Sequence, residues 1–173
     1  MEKHVMSIMV NNEPGVLTRI SRLFGARGYN IESLTVGKTQ EKDQSRITVV
    51  MNCDRQTLEQ IMKQTQKLYD VMAVQELTPK ASVYREIALI KVGADSNQRS
   101  AIREITEIFR ASIIDVGPES LIIEITGDGD KIDAFLRVIE PYGILEMTRT
   151  GLTALGRGSA CLIGQTGFLE EAI

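Results

Sequence analysis

The sequence predicts an α+β fold made of two tandem βαββαβ units, each an antiparallel sheet with helices on one face. Apolar residues alternate with polar ones in short runs and recur at helical spacing in the segments between them. The order strand, helix, strand, strand, helix, strand occurs twice, with an offset of roughly 80 residues, as an internal duplication of pattern rather than identity. That order is the split βαβ, or ferredoxin-like, arrangement. The 173 residues are 43% hydrophobic but only 5% aromatic with no Trp, so both cores are aliphatic.

The apolar run Val5, Ile8, Met9 and Val10 reads as the first strand. Asn11-Asn12-Glu13-Pro14-Gly15 follows, and then Val16, Leu17, Ile20, Leu23 and Phe24 recur at helical spacing. Pro14 suits a first helical position, where its missing N–H has no intrahelical partner. Gly15 lacks a Cβ, so a ligand can approach the backbone there. A helix N-terminus with unpaired N–H groups holds a carboxylate, and the Asn12 amide can both donate and accept. The same loop also fits a capped strand-to-helix turn that binds nothing.

Arg27-Gly28 reads as the helix stop. Asn30 to Thr39 and Ser45 to Cys53 read as two strands of a hairpin across the polar turn Gln40 to Gln44. Asp54 can cap a second helix carrying Leu58, Ile61, Met62, Thr65 and Leu68 on one face. Val71, Ala73 or Val74, and Leu77 form a fourth strand. The sheet face away from the helices has no cover within the unit and is expected to be solvated or buried against a second copy.

The short Pro-interrupted stretch 79–84 reads as a linker between a first domain, 1–78, and a second, 85–158. In the second, Arg85 to Val92 is a strand, Ser96 to Ala111 a helix, Ile113 to Val116 and Ser120 to Thr126 strands. The turn Gly127-Asp128-Gly129-Asp130 leads into a helix with Ile132, Phe135, Leu136 and Ile139, and Ile144 to Met147 closes the unit. The first strand here runs into Gly93-Ala94-Asp95-Ser96, with no copy of the Asn-Glu-Pro-Gly loop. Any ligand site is therefore expected in one half only. After Thr150 the chain is rich in Gly and lacks clear periodicity, and 159–173 reads as a Gly-rich tail.

Composition excludes several functions. The net charge is −3 and no basic stripe occurs, which argues against nucleic acid. The apolar runs are strand-sized, so no membrane span is expected. Met1-Glu2-Lys3-His4 shows no signal-peptide organisation, and a cytoplasmic location is the default expectation. Two cysteines, Cys53 and Cys161, and one histidine make neither a disulfide framework nor a zinc site. Cys53 reads as a buried small hydrophobe, and His4 lies where a strand edge is expected, which does not suit a catalytic triad. No set of residues has the parts an enzyme needs, so no catalytic residue, metal or cofactor is expected in this chain.

Asn12-Glu13-Pro14-Gly15-Val16-Leu17 and Arg27-Gly28-Tyr29-Asn30-Ile31-Glu32-Ser33-Leu34 resemble the ACT domain of acetolactate (acetohydroxyacid) synthase small subunits. Thr106-Glu107-Ile108-Phe109-Arg110, Ile113-Ile114-Asp115-Val116, Lys131-Ile132-Asp133-Ala134-Phe135 and Arg149-Thr150-Gly151 are similar to that family's C-terminal domain. The resemblance implies a regulatory subunit, not an enzyme by itself. It would join a catalytic large subunit carrying thiamine diphosphate, Mg and FAD, raise its activity, and confer feedback inhibition by valine in branched-chain amino acid biosynthesis. It implies a homodimer through the ACT domains. The valine-binding residues it implies are Asn12, Gly15, Val16, Leu17, Asn30 and Ile31, with Val16 and Ile31 as an apolar wall. A stand-alone ACT-type amino-acid-binding protein or co-regulator is the alternative.

Overall fold

The computed structural model describes residues 2–163. By contacts the chain divides into two units, one running to Val83 and resuming at Leu152, the other spanning Tyr84–Gly151.

The first unit contains β1 (Glu2–Asn11), α1 (Val16–Ala26), β2 (Ile31–Lys38), β3 (Gln44–Cys53), α2 (Arg55–Thr65), β4 (Val71–Glu76) and β9 (Thr153–Gly156). Its sheet has the order β2-β3-β1-β4, with β1 antiparallel to both β3 and β4. Met6, Ile8 and Val10 of β1 and Ile47, Val49 and Met51 of β3 alternate onto the face that meets Val16, Ile20 and Phe24 of α1 and Leu58 and Ile61 of α2. Asp54 caps α2 as expected, accepting from the Thr57 N–H at 2.8 Å. Its carboxyl is held below the usual carboxylate range chiefly by that hydrogen bond.

Gly28 ends α1 in the left-handed region at φ 69°. Its N–H reaches the Gly25 carbonyl at 3.1 Å, and the Tyr29 N–H reaches the Phe24 carbonyl at 3.0 Å. These two bonds close a Schellman motif, and the Phe24 and Tyr29 rings meet edge-on at 6.5 Å as its hydrophobic contact.

The second unit has β5 (Ser82–Gly93), α3 (Arg99–Ile108), β6 (Ser112–Val116), β7 (Ser120–Gly127), α4 (Gly129–Ile139) and β8 (Ile144–Arg149), with strand order β6-β7-β5-β8. Ala88, Ile90 and Val92 of β5 and Leu121, Ile123 and Ile125 of β7 face Ile102 of α3 and Ile132, Phe135 and Ile139 of α4. Asp128 caps α4 through the Lys131 N–H at 2.9 Å.

Several expectations need correction. Pro14 is not the first helical residue: Gly15, at φ 84°, precedes α1, and a left-handed residue cannot belong to the helix. The helix read as Ser96 to Ala111 is Arg99–Ile108. Asp95 gathers the preceding turn, and Arg110 at φ 53° closes the helix early. His4 is not at an edge. It sits on an interior strand, 7% exposed, with Nδ1 2.9 Å from Glu76 Oε1.

The far face of the first sheet is also not left uncovered. Val5, Ser7, Met9, Thr48 and Val50 on it are all buried. The stretch after Thr150, read as aperiodic, includes β9, which is bracketed by Gly151 and Gly158 at φ 82°. The Leu152 N–H donates to Ser33 Oγ at 3.1 Å on that face. Leu152 and Ala154 are buried, and Thr153 and Leu155 line a hollow with Thr35 and Thr48 of the same face. Leu152–Gly156 therefore groups with the first unit. Of the tail 159–173, the part from Gly164 on lies outside the described residues.

Candidate functional site

The loop from Asn11 to Gly15 is fixed at several points. The Asn11 N–H donates to the Asp70 carbonyl at 2.9 Å and the Asn12 N–H to the Asp43 carbonyl at 2.7 Å. Ser45 Oγ donates to Asn12 Oδ1 at 3.1 Å, which orients the amide. The chain then turns through Gly15, and α1 begins with no side-chain cap. The N–H groups of its first turn keep the partial positive charge of a helix start, with no acidic side chain in that turn to offset it.

A cation that sequence reasoning missed stands over this turn. Arg19 Nε donates to Asp70 Oδ2 at 2.7 Å. Its Nη1 lies 3.2 Å from where a Cβ on Gly15 would be. Asp70, 9% exposed at its side chain, holds the guanidinium through Nε and leaves Nη1 beside the loop. Helical spacing places Arg19 one turn beyond Gly15, but the Asp70 contact spans 51 residues and has no local signal.

The expected site residues fall into two groups. Asn12, Gly15 and Leu17 are exposed at the loop, with Leu17 42% exposed. Val16 is 5% exposed and belongs to the core, so its side chain is not an open apolar wall, and Leu17 is the apolar surface at this end. Asn30 is exposed and Ile31 is half-buried against the core at the start of β2. The two groups do not meet within one chain. Asn11 pairs with Gln44 at one end of β3, whereas Ile31 pairs with Met51 near the other. Seven residues of extended chain separate those rungs, about 23 Å at strand rise.

Burial pushes the Cys53 thiol up, and the charges of Asp54 and Glu76 act in the same direction, which disfavours the thiolate. His4 Nε2 is buried without a hydrogen-bond partner among the described residues. No described helix is long and apolar enough to cross a membrane.

Comparison with known proteins bears on both halves. The family described as AHAS small subunit-like ACT domain matches residues 6–73, and the family described as small subunit of acetolactate synthase matches residues 85–158. The chain is 50% identical to the acetolactate synthase small subunit of Mycobacterium bovis over 155 residues, covering 90% of this chain and 92% of that one. It is 49% identical to the probable acetolactate synthase small subunit of Archaeoglobus fulgidus over 157 residues, covering 91% and 98%. The crystal structure of the acetolactate synthase small subunit from Thermotoga maritima superposes with a TM-score of 0.87 at 40% identity, covering 92% of this chain and all of that one. With both halves matched and half of the residues shared over nine-tenths of its length, this chain belongs to the acetolactate synthase small-subunit family, as a regulatory chain with an ACT domain.

Proposed function

We propose that this chain senses valine for an acetolactate synthase. It joins the catalytic large subunit, which carries thiamine diphosphate, Mg and FAD, raises its rate, and withdraws that activation when valine binds. The ACT domain, 1–78, pairs with that of a second copy and binds the effector, while 85–158 forms the second domain. The observation that carries this reading is the separation of the two residue groups along β3. If both contact one valine, two chains must supply them.

In a two-fold dimer the loop of one chain faces the first residues of β2 in the other, and the reverse, so two equivalent sites form. The valine carboxylate meets the N–H groups at the head of α1 and the Nη edge of Arg19, a pairing of fixed donors with a planar anion. The ammonium is taken by the Asn30 side chain or a carbonyl of the partner subunit. The branched side chain rests on Leu17 and on Ile31 of the partner subunit. A ligand bridging two chains stabilises the pair by linkage and favours whichever dimer arrangement it fits.

The test is acetolactate formation by the catalytic subunit alone, with this chain, and with this chain plus valine. The account expects the rate to rise on adding the chain and to fall again with valine. No change on adding the chain overturns the regulatory role, and activation insensitive to valine overturns the choice of effector.

A further inference from the structure

The face of the first sheet that β9 helps to cover contains a cation with no acidic partner among the described residues. Arg46 stands on β3, an interior strand, opposite Met9 of β1 and Gly37 of β2. Its Nη1 donates to the hydroxyl of the buried Ser7 at 3.4 Å. Among the described residues it forms no ion pair, whereas Arg19, Arg55 and Arg149 each hold a carboxylate. Burial pulls its pKa down, with Cys161 acting in the opposite direction, so the sheet has removed water from the guanidinium. A half-buried guanidinium without a counter-charge is unfavourable for the apo protein unless something else neutralises it.

What surrounds Arg46 is a set of donors. A hollow of about 320 Å³ is lined by Arg46, Lys38, Thr39, Gln40, Thr48 and Thr153, together with Thr35, Gly37 and Leu155. The lining includes the Arg46 guanidinium, several hydroxyls and no acid. Lys38 pairs with Ser45, so its side chain leaves from the opposite face. A guanidinium with hydroxyls suits an anion with several oxygens, since each can donate to it. The volume is at the small end of ligand pockets.

We infer that Arg46, Thr48 and Thr153 form a binding site for a small oxyanion, a phosphate or the carboxylate of a small metabolite. The site is separate from the Asn12–Gly15 loop. Ser45 and Arg46 are consecutive on β3, so Ser45, which holds Asn12, points to the opposite face from Arg46.

The test uses the full chain, with inorganic phosphate and acetate as probes and sodium chloride as the ionic-strength control. Phosphate or acetate is expected to raise the melting temperature beyond the chloride effect and to shift the amide resonances of Arg46 and Thr48 saturably. Response to phosphate alone assigns a phosphate site, response to acetate alone a carboxylate site, and response to both a general oxyanion site. Arg46→Met keeps the volume of the side chain. It should melt no lower than wild type without anion, and bind anion at least about tenfold more weakly, as loss of a charge-assisted partner predicts. Lys38→Gln, which removes a cation from the opposite face of the same sheet, should leave anion binding unchanged. Gly15→Asp should leave anion binding intact, which separates this site from valine sensing. No response beyond chloride, or equal affinity in wild type and Arg46→Met, overturns the proposal.

Discussion

The two units share a frame down to its irregularities and differ at the head of the first helix. In both, the first strand shifts register against the last strand at matching places, Met9/Val10 and Lys91/Val92. In both, the short second strand shifts against the third, at Ile31/Ser33 and Ile113/Asp115. The helix heads diverge. Ahead of α3, Asp95 Oδ1 accepts from the N–H groups of Asn97 and Gln98, each at 2.8 Å. Ahead of α1 no side chain caps, and Gly15 holds the turn open beneath Arg19. Neither helix has a side-chain cap, but the turn that leads into α3 is held by a carboxylate of the chain itself, whereas the first unit is proposed to receive one from a ligand. The repeat supplies the frame, and a few loop residues decide whether it binds anything.

The comparison can be broken by giving the first unit a carboxylate. Gly15→Asp puts a Cβ 3.2 Å from Arg19 Nη1 on a backbone at φ 84°, and its carboxylate can pair with Arg19 in place of the ligand. Valine affinity, measured by calorimetry, should fall at least about a hundredfold, with activation of the catalytic subunit retained. Unchanged valine affinity would remove the loop from the site.

Leu152 groups with the first unit, so Leu152→Ala should act chiefly on that unit. Leu152 is 4% exposed, and truncating a buried leucine costs about 2–3 kcal/mol. Amide hydrogen exchange should show β1 and β3 destabilised and β7 unchanged. Equal loss in both units would contradict the assignment of this stretch to the first. Removing the carboxylate that holds the turn before α3, Asp95→Ala, should lower stability by about 1 kcal/mol and leave valine binding alone.

A smaller contrast lies at the helix ends. Arg110 occupies the left-handed position in the second unit that Gly28 occupies in the first, with the Ala111 N–H reaching the Thr106 carbonyl at 2.9 Å. Gly28→Ala should destabilise by about 1 kcal/mol, because nothing crowds its Cβ and only the backbone is strained. Arg110→Gly should stabilise by about 0.5 kcal/mol, and a matching sign in urea unfolding of both variants would contradict the shared motif.

What the sequence made legible follows from local signals. Period two and helical spacing gave the element order, and Asp54, Asp128 and Gly28 announced their helix ends because caps act within one turn. Arg110 was invisible, since a left-handed arginine has no marker of its own. The four residues of β9 are too few for alternation to stand out between glycines. Arg19 was passed over as a surface helix residue, and Arg46 as a strand residue, because what matters about each lies across the fold. The partner of Arg19 is remote in sequence, and Arg46 is defined by the lack of one among the described residues.

The central claim, that each valine site is built from two chains, is tested most directly with mixed dimers. One chain carries Gly15→Asp and the other Asn30→His, each expected to be valine-blind as a homodimer. In the heterodimer one site collects both lesions. The other joins the intact loop of the Asn30→His chain to the intact β2 start of the Gly15→Asp chain. Calorimetric titration of tagged, purified heterodimers should therefore recover about one site per dimer at near wild-type affinity, since separated lesions act independently. A heterodimer that binds no valine, while the wild-type dimer does, would place the whole pocket within a single chain and contradict the account.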